Sequence, residues 1–325
     1  MNPLPVSAIV PTCARPITLA RALASLAAQG VRLAELIVID GSTDVFSRQV
    51  VEQHAKRSPG CTVVWQPASQ LGAAVQRNQG VAIATQPLIC FFDDDILFEP
   101  ACIERLWCAL QSDPRLGGVN AMIANQHYCS PGLASRTVLR LIHGKGESSY
   151  AGRVIGPAVN LLPEDCDDMP EIVPVEWLNL GCTIYRREAL PTPPFERIFT
   201  GYSMMEDLTL SLRVAQRWRL ANVRTARIFH DSQPGPHKAD ITGLAAMELI
   251  NRHYVMTEVL ARRRFVDYLH LFEWEMFQLA VSAARSESRP QFWARVRGKF
   301  LGLSQIWRHS PSGKAFLKTS IDDRP

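Results

Sequence analysis

The sequence predicts an α/β fold: a mostly parallel sheet flanked by helices, followed by a C-terminal helical extension. Three observations carry this. Short apolar runs of strand length alternate with helical periodicities from Val6 to Ile123. The runs are apolar at successive positions, as strands buried on both faces are. Runs 1, 2 and 4 end in acids or turn residues, so one rim of the sheet is polar.

Each element has its own signal. Val6–Val10 is strand 1, ending at Pro11-Thr12. Pro16 suits the first turn of a helix, Leu19, Leu23 and Leu26 keep helical spacing, and Gly30 suits its stop. Leu36–Ile39 is strand 2, and Asp40-Gly41-Ser42-Thr43-Asp44 is turn chemistry leading into a helix over Phe46–Lys56. Thr62–Trp65 is strand 3. Gly72 precedes a helix carrying Arg77, Asn78 and Gly80. Leu88–Phe92 is strand 4, a helix follows from Pro100 to about Gln111, and Gly118–Ile123 is strand 5. Asn125–Glu176 is rich in Gly, Pro and Ser and reads as loops with a few short strands. Order returns at Val175–Leu178 and Gly181–Arg187. Glu206-Asp207 opens a helix with Leu208, Leu210, Leu212 and Val214, and Ala221–Phe229 is a strand ending at His230. Beyond Pro234-Gly235-Pro236 come helices near Gly243–Arg263, Phe265–Ala284 and Gln291–Arg308. The resulting division is 1–235 for the α/β domain, in halves 1–124 and 125–235, and 236–325 for the helical extension.

Composition narrows the function classes. The chain of 325 residues is 47% hydrophobic and 20% charged, as globular proteins are. A formal charge of +4 is too small to argue for a nucleic-acid partner. Eight cysteines include no Cys-x-x-Cys pair, which points to small buried hydrophobes in a reducing compartment, hence a cytoplasmic location. Met1–Val10 has no Lys or Arg, unlike a signal peptide, and no run approaches the ~18 apolar residues of a membrane span.

The chemistry concentrates where strand 4 runs into Asp93-Asp94-Asp95. Three adjacent carboxylates repel one another unless a cation offsets them. Oxygen ligands suit Mg²⁺ or Mn²⁺, which commonly also hold substrate phosphates. A solvated acidic turn capping the next helix is the alternative. No Gly-x-Gly-x-x-Gly follows strand 1, which weighs against a dinucleotide fold.

Taken together and in order, these motifs resemble a family-2 glycosyltransferase of GT-A fold, with a Rossmann-like nucleotide-binding half. The resemblance runs from Val6 to about Pro236. Val10-Pro11-Thr12-x-x-Arg15 resembles the opening motif that lines the nucleotide pocket. Asp40 resembles the acid that contacts the base, although the family's usual acid pair is single here. Arg77-Asn78-x-Gly80 resembles the motif that holds the diphosphate. Asp93-Asp94-Asp95 resembles the Asp-x-Asp motif, with Asp93 and Asp94 toward the nucleotide-sugar and Asp95, with Asp93, toward the metal. Glu206-Asp207 resembles the acceptor-side pair whose Asp is the catalytic base. His230 stands where some members place a further metal ligand.

The resemblance implies an inverting, metal-dependent transfer of a sugar from a nucleoside-diphosphate sugar to a hydroxyl. The acceptor would be a glycan or a lipid-linked molecule, in polysaccharide or other cell-surface glycan synthesis. A sugar-phosphate nucleotidyltransferase and a non-catalytic nucleotide-sugar-binding protein are the alternatives. From Ala245 to Pro325 there are 13 Lys and Arg against 8 Asp and Glu, so the basic surplus lies in the tail. With Arg262-Arg263-Arg264 and three nearby tryptophans, these helices suggest peripheral contact with the inner face of a membrane.

Overall fold

A computed structural model of the chain describes residues 2–233 and 239–309. The turn expected at Pro234-Gly235-Pro236 lies outside the described residues. The chain divides into two compact units. The first comprises residues 1–130, 148–154 and 160–233; the second comprises 131–147, 155–159 and 234–325.

The first unit is built on a nine-stranded sheet. Its elements begin β1 (Leu4–Thr12), α1 (Pro16–Ala27), β2 (Leu33–Asp40), α2 (Phe46–Arg57), β3 (Thr62–Pro67) and α3 (Ala73–Ile83). Next come β4 (Leu88–Phe92), β5 (Ile96–Phe98), α4 (Cys102–Ser112) and β6 (Leu116–Ile123). After two short strands, β7 (Val154–Ile155) and β8 (Val159–Asn160), follow β9 (Ile172–Val175), β10 (Cys182–Arg186), α6 (Glu206–Val214) and β11 (Arg219–His230). Strand order is β3-β2-β1-β4-β10-β6-β11-β5, with β9 also on β11. The sequence's α/β reading holds, with β1–β4 all parallel. Strand β10 is the antiparallel insert: Cys182 faces Phe92 on β4, and Thr183 faces Asn120 on β6.

Burial explains why these runs are strands. Every residue of β4 and of β6 is buried, so their apolar runs satisfy both faces of the sheet. Helix α1 buries Leu19, Leu23 and Leu26 against the sheet and starts at Pro16 without a side-chain cap. Val10, Phe92, Leu106 and Ile184 belong to one core cluster, and each such side chain contributes roughly 1.5–3 kcal/mol by leaving water. Phe91 meets Phe195 edge-on at 5.4 Å, which ties β4 to the loop before α6.

The Asn125–Glu176 section holds one element that sequence reading passed over. Leu133–His143 is a helix, α5, which belongs to the second unit. It starts at Gly132 with no side-chain cap, so its start carries no signal, although Ala134, Val138, Leu141 and Ile142 keep helical spacing. The acidic stretch after Pro163 is fastened to β11: Asp165 accepts from Arg227 at 2.7 Å. Strand β9 takes the sheet's edge there, and its Pro174 is tolerated at that position.

The second unit also contains α7 (Ile241–Tyr254), which continues into a π-turn at Val255–Val259, then α8 (Phe265–Ala284) and α9 (Phe292–His309). Its interior includes a buried charge network. Glu248 accepts from Arg252 at 3.1 Å and from Lys299 at 2.8 Å, and Glu275 lies against the same two cations. Two acids against two bases leave the network neutral, which is what makes its burial tolerable. Among the described residues no helix is long and apolar enough to cross a membrane.

Candidate active site

Strand β4 delivers Asp93, Asp94 and Asp95 to the carboxyl-terminal rim of the parallel sheet, the usual place for ligands in such sheets. The three acids do not share one environment. Asp94 and Asp95 are buried, while Asp93 is partly exposed. Asp94 accepts from Thr12 Oγ1 at 2.7 Å and from Arg15 at 3.2 Å. Arg15 also reaches Asp95 at 3.3 Å. Burial pushes Asp94 up to about 6, with Asp95 and Asp93 adding to the rise and Thr12 and Arg15 opposing it.

His230 arrives at the same place from the end of β11. Its Nε2 lies 3.2 Å from Asp95 Oδ1. Asp93, Asp95 and His230 each offer one ligand atom, all within 4.8 Å of one another. Sequence reading missed what holds the histidine there. Asn125 clamps its backbone, accepting from the N–H at 3.0 Å and donating to the carbonyl at 2.9 Å. Gln126 lies 3.3 Å from Nδ1, the ring nitrogen facing away from the acids. A ligating histidine normally has its second nitrogen held in this way.

Helix α3 supplies the link to the other acidic pair. Arg77 is 3% exposed. One guanidinium nitrogen donates to Asp93 at 2.5 Å and the other to Glu206 at 3.1 Å. The Phe195 ring lies 5.8 Å beneath the guanidinium carbon. Burial works against this charge, but Asp93, Glu206 and Asp207 outweigh it and hold Arg77 firmly protonated. Asp93 and the Glu206-Asp207 pair therefore meet across one side chain.

Glu206 and Asp207 open α6, as the sequence predicts. The preceding Met205 has φ of 70°, and Ser203 has φ of 53°. Two non-glycine residues in the left-handed region, beside buried acids, mark a backbone constrained for position. Burial pushes Glu206 up to about 8, the charge of Asp207 adds to this, and Arg77 pulls it back. Asp207 rises to about 6, again through burial, against the Leu208 N–H and Arg77.

The loop before α6 brings a further residue. Gly201 bridges to Gly72 at the start of α3, and a Cβ on Gly72 would meet the Gly201 nitrogen at 3.1 Å. Tyr202 follows, 43% exposed; burial and then the charges of Asp93, Asp95 and Glu206 raise its phenol. Its only sequence signal was a Tyr between Gly and Ser just ahead of an acidic helix start.

Asp40 stands apart from this cluster. It is buried at the end of β2, and both its oxygens are taken: one by the N–H (2.9 Å) and hydroxyl of Ser42, the other by Trp65 Nε1 at 3.1 Å. Pro11 pairs with Ile39 beside it in the sheet, and Gln76 of α3 donates to the carbonyls of Thr12 and Ile39, closing this wall.

With Glu206 raised to about 8 and so mainly protonated at neutral pH, Asp93, Asp94, Asp95 and Asp207 still outnumber the guanidiniums of Arg15 and Arg77. The surplus of negative charge and the donor set of two carboxylates and an imidazole fit a divalent cation. Asp93, Asp95 and His230 would hold it.

Comparison with known proteins agrees with this fold. Residues 7–128 match the sequence model of glycosyl transferase family 2. No curated protein matches the chain. In fold the chain is similar to the mannosyltransferase PcManGT from Pyrobaculum calidifontis, solved with GDP-Man and Mn²⁺. The TM-score is 0.55 at 15% identity, over 99% of this chain and 80% of that one. It is also similar to GalNAc-T7, solved with UDP, GalNAc and Mn²⁺. There the TM-score is 0.55 at 13% identity, over 94% of this chain but only 58% of that one. At such identities the likeness is one of fold.

Proposed function

We propose that this chain, whose residues 7–128 match glycosyl transferase family 2, moves a sugar from a nucleoside-diphosphate sugar to a hydroxyl with inversion. One observation carries the reading: Arg77 joins Asp93, of the candidate cation site, to Glu206, the neighbour of Asp207. Leaving group and nucleophile would then sit on either side of a single buried guanidinium.

The donor's nucleoside would lie against the wall formed by Pro11, Thr12 and Asp40. Since both Asp40 oxygens are engaged, its part is to fix that wall through Ser42 and Trp65, with any base contact shared through those bonds. A divalent cation bound by Asp93, Asp95 and His230 would neutralise charge on the departing diphosphate. The imidazole in that set suits Mn²⁺ better than Mg²⁺, which prefers oxygen alone. Arg15 and Arg77 add fixed positive charge beside the same phosphates. Asp94, held by Thr12 and Arg15, positions Arg15 for this and shapes the ribose end of the pocket.

An alcohol is a poor nucleophile until its proton is drawn off. Asp207 takes that proton as the oxygen attacks the anomeric carbon from the face opposite the diphosphate. Its value of about 6 leaves it ionised at neutral pH yet basic enough to accept. Glu206, braced by Arg77, orients the acceptor. Direct displacement by one nucleophile inverts the centre.

The acceptor in this reading is a glycan or lipid-linked hydroxyl, in polysaccharide or other exported-glycan synthesis on the cytoplasmic side. The basic C-terminal helices would touch the membrane there. The test is release of nucleoside diphosphate from GDP-, UDP- and dTDP-sugars with Mn²⁺. Metal-dependent release supports the reading. Diphosphate formed instead from a nucleoside triphosphate and a sugar phosphate would favour a nucleotidyltransferase. Tight binding of nucleoside diphosphate without turnover of any pair would favour a binding protein.

A further inference from the structure

The helical unit shows far more apolar surface than its size warrants. Of 20 exposed large hydrophobic side chains among the described residues, 13 lie in this second unit. They are organised. On α8, Phe265, Leu269, Phe272 and Met276 are 85%, 43%, 61% and 48% exposed, and their spacing of three or four residues puts them on one face. The opposite face buries Asp267, Leu271 and Trp274. On α9, Trp293 and Phe300 are 76% and 68% exposed and two helical turns apart, while Gly298, Lys299 and Gly302 are buried. Helix α8 is thus apolar toward solvent and holds charge toward the interior, the reverse of an ordinary surface helix.

Charge says what covers these faces. The described residues of the unit carry 13 Lys and Arg against 8 Asp and Glu. With Glu248, Glu275, Arg252 and Lys299 neutralising one another inside, the whole surplus is at the surface. Arg297 and Arg308 are exposed beside the Trp293–Phe300 stripe, Arg264 precedes Phe265, and Arg136 and Arg140 are exposed on α5. A second copy of this chain would bring like charge against like. An anionic lipid surface offers both an apolar layer for the rings and phosphates for the guanidiniums.

We propose that the α8 and α9 faces of the helical unit dock on anionic bilayers, with Phe265, Phe272, Trp293 and Phe300 seated at the headgroup boundary and the arginines on lipid phosphates. The unit lies on the membrane and does not cross it, since none of its described helices is long and apolar enough. Trp293 suits that depth because its ring is apolar in body and carries an N–H at its edge, while the phenylalanines add apolar area below the headgroups. The inference does not depend on the transfer chemistry, so it survives or fails separately.

The experiment is co-sedimentation of the full chain with vesicles of phosphatidylcholine and phosphatidylglycerol, and with vesicles of phosphatidylcholine alone. Two variants accompany it: Trp293→Ser with Phe300→Ser, and Arg297→Glu with Arg308→Glu. All four positions are exposed, so circular dichroism and melting should match the parent. We expect binding to the anionic vesicles that falls at least about tenfold in each variant and on removing the anionic lipid. Equal sedimentation of parent and both variants would overturn the proposal. So would failure of the parent to bind, or sedimentation equilibrium showing a dimer that the Trp293→Ser, Phe300→Ser variant dissolves.

Discussion

Replacing Arg77 by Met should reveal how much of the site depends on one buried cation. Methionine keeps an apolar stem and removes the guanidinium that lies over Phe195 and faces Asp93 and Glu206. Breaking a buried pair by deleting one partner costs about 3–5 kcal/mol, because the other charge is left uncompensated. Here two acids lose contact and Asp207 loses a neighbour, so the upper part of that range applies. At about 2–4 °C per kcal/mol, melting should fall by roughly 8–20 °C. The pH dependence gives the sharper test. Without Arg77 the pKa values of Glu206 and Asp207 rise further above their unfolded values, so their ionisation destabilises the fold. That penalty is absent while both are protonated and grows as pH rises through their folded pKa values. The deficit should therefore be larger at pH 8 than at pH 5, by differential scanning calorimetry of parent and variant. Equal melting at pH 8, or a deficit that does not change with pH, would refute the reasoning. Either result would mean that the acids do not lean on Arg77.

Three further outcomes follow from the geometry. As the raised carboxyl of Asp207 must lose its proton to act, kcat/KM should climb about tenfold per pH unit below about 6 and level off above it; an activity flat from pH 5 to 8 would remove Asp207 from the role. His230→Ala should weaken Mn²⁺ binding about 10–100-fold by electron paramagnetic resonance titration, and Gln126→Ala should weaken it less; unchanged affinity in both would take the imidazole out of the ligand set. Gly80→Ala should cost about 1–3 kcal/mol in urea unfolding, because its Cβ would meet Ile9 Cγ2 at 2.4 Å where α3 crosses β1; a variant as stable as the parent would show that the helix can lift at no cost.

The parts of the molecule that sequence reading reached are those whose cause is local. Leu88–Phe92 is apolar throughout because both faces are covered, and it is a strand with those ends. Pro16 and the Leu19-Leu23-Leu26 spacing place α1 within a residue or two. What stayed hidden depends on partners far along the chain. Cys182–Arg186 reads as ordered, but nothing in those five residues says that they slot antiparallel between β4 and β6. Strand β5 has three residues and exists because β11 pairs with it. Helix α5 lacks a cap and sits in a stretch rich in Gly, Pro and Ser, so its helical spacing is easily passed over.

The site divides along the same line. Asp93, Asp95, Glu206 and Asp207 were legible because acids at strand and helix ends are conspicuous and came in order. The inward aim of Arg77 was not, since an arginine on a helix usually faces water; only the fold shows it 3% exposed. Nor was the hold of Asn125 and Gln126 on His230, since they open a section that reads as loop and lie more than 100 residues from the histidine. The single Asp40 was legible as a turn residue, and its bond to Trp65 explains why it is buried rather than open to a ligand.

The central claim is that one acidic cluster serves the leaving group while a separate carboxylate serves the nucleophile. The most direct measurement compares Asp95→Ala and Asp207→Asn for Mn²⁺ binding, nucleoside-diphosphate binding and sugar transfer under the same conditions. The account predicts that Asp95→Ala loses metal-dependent nucleotide binding together with transfer. It predicts that Asp207→Asn binds metal and nucleotide like the parent and transfers at least about a thousandfold more slowly. An Asp207→Asn chain that turns over normally, or one that loses nucleotide binding in step with Asp95→Ala, would contradict it.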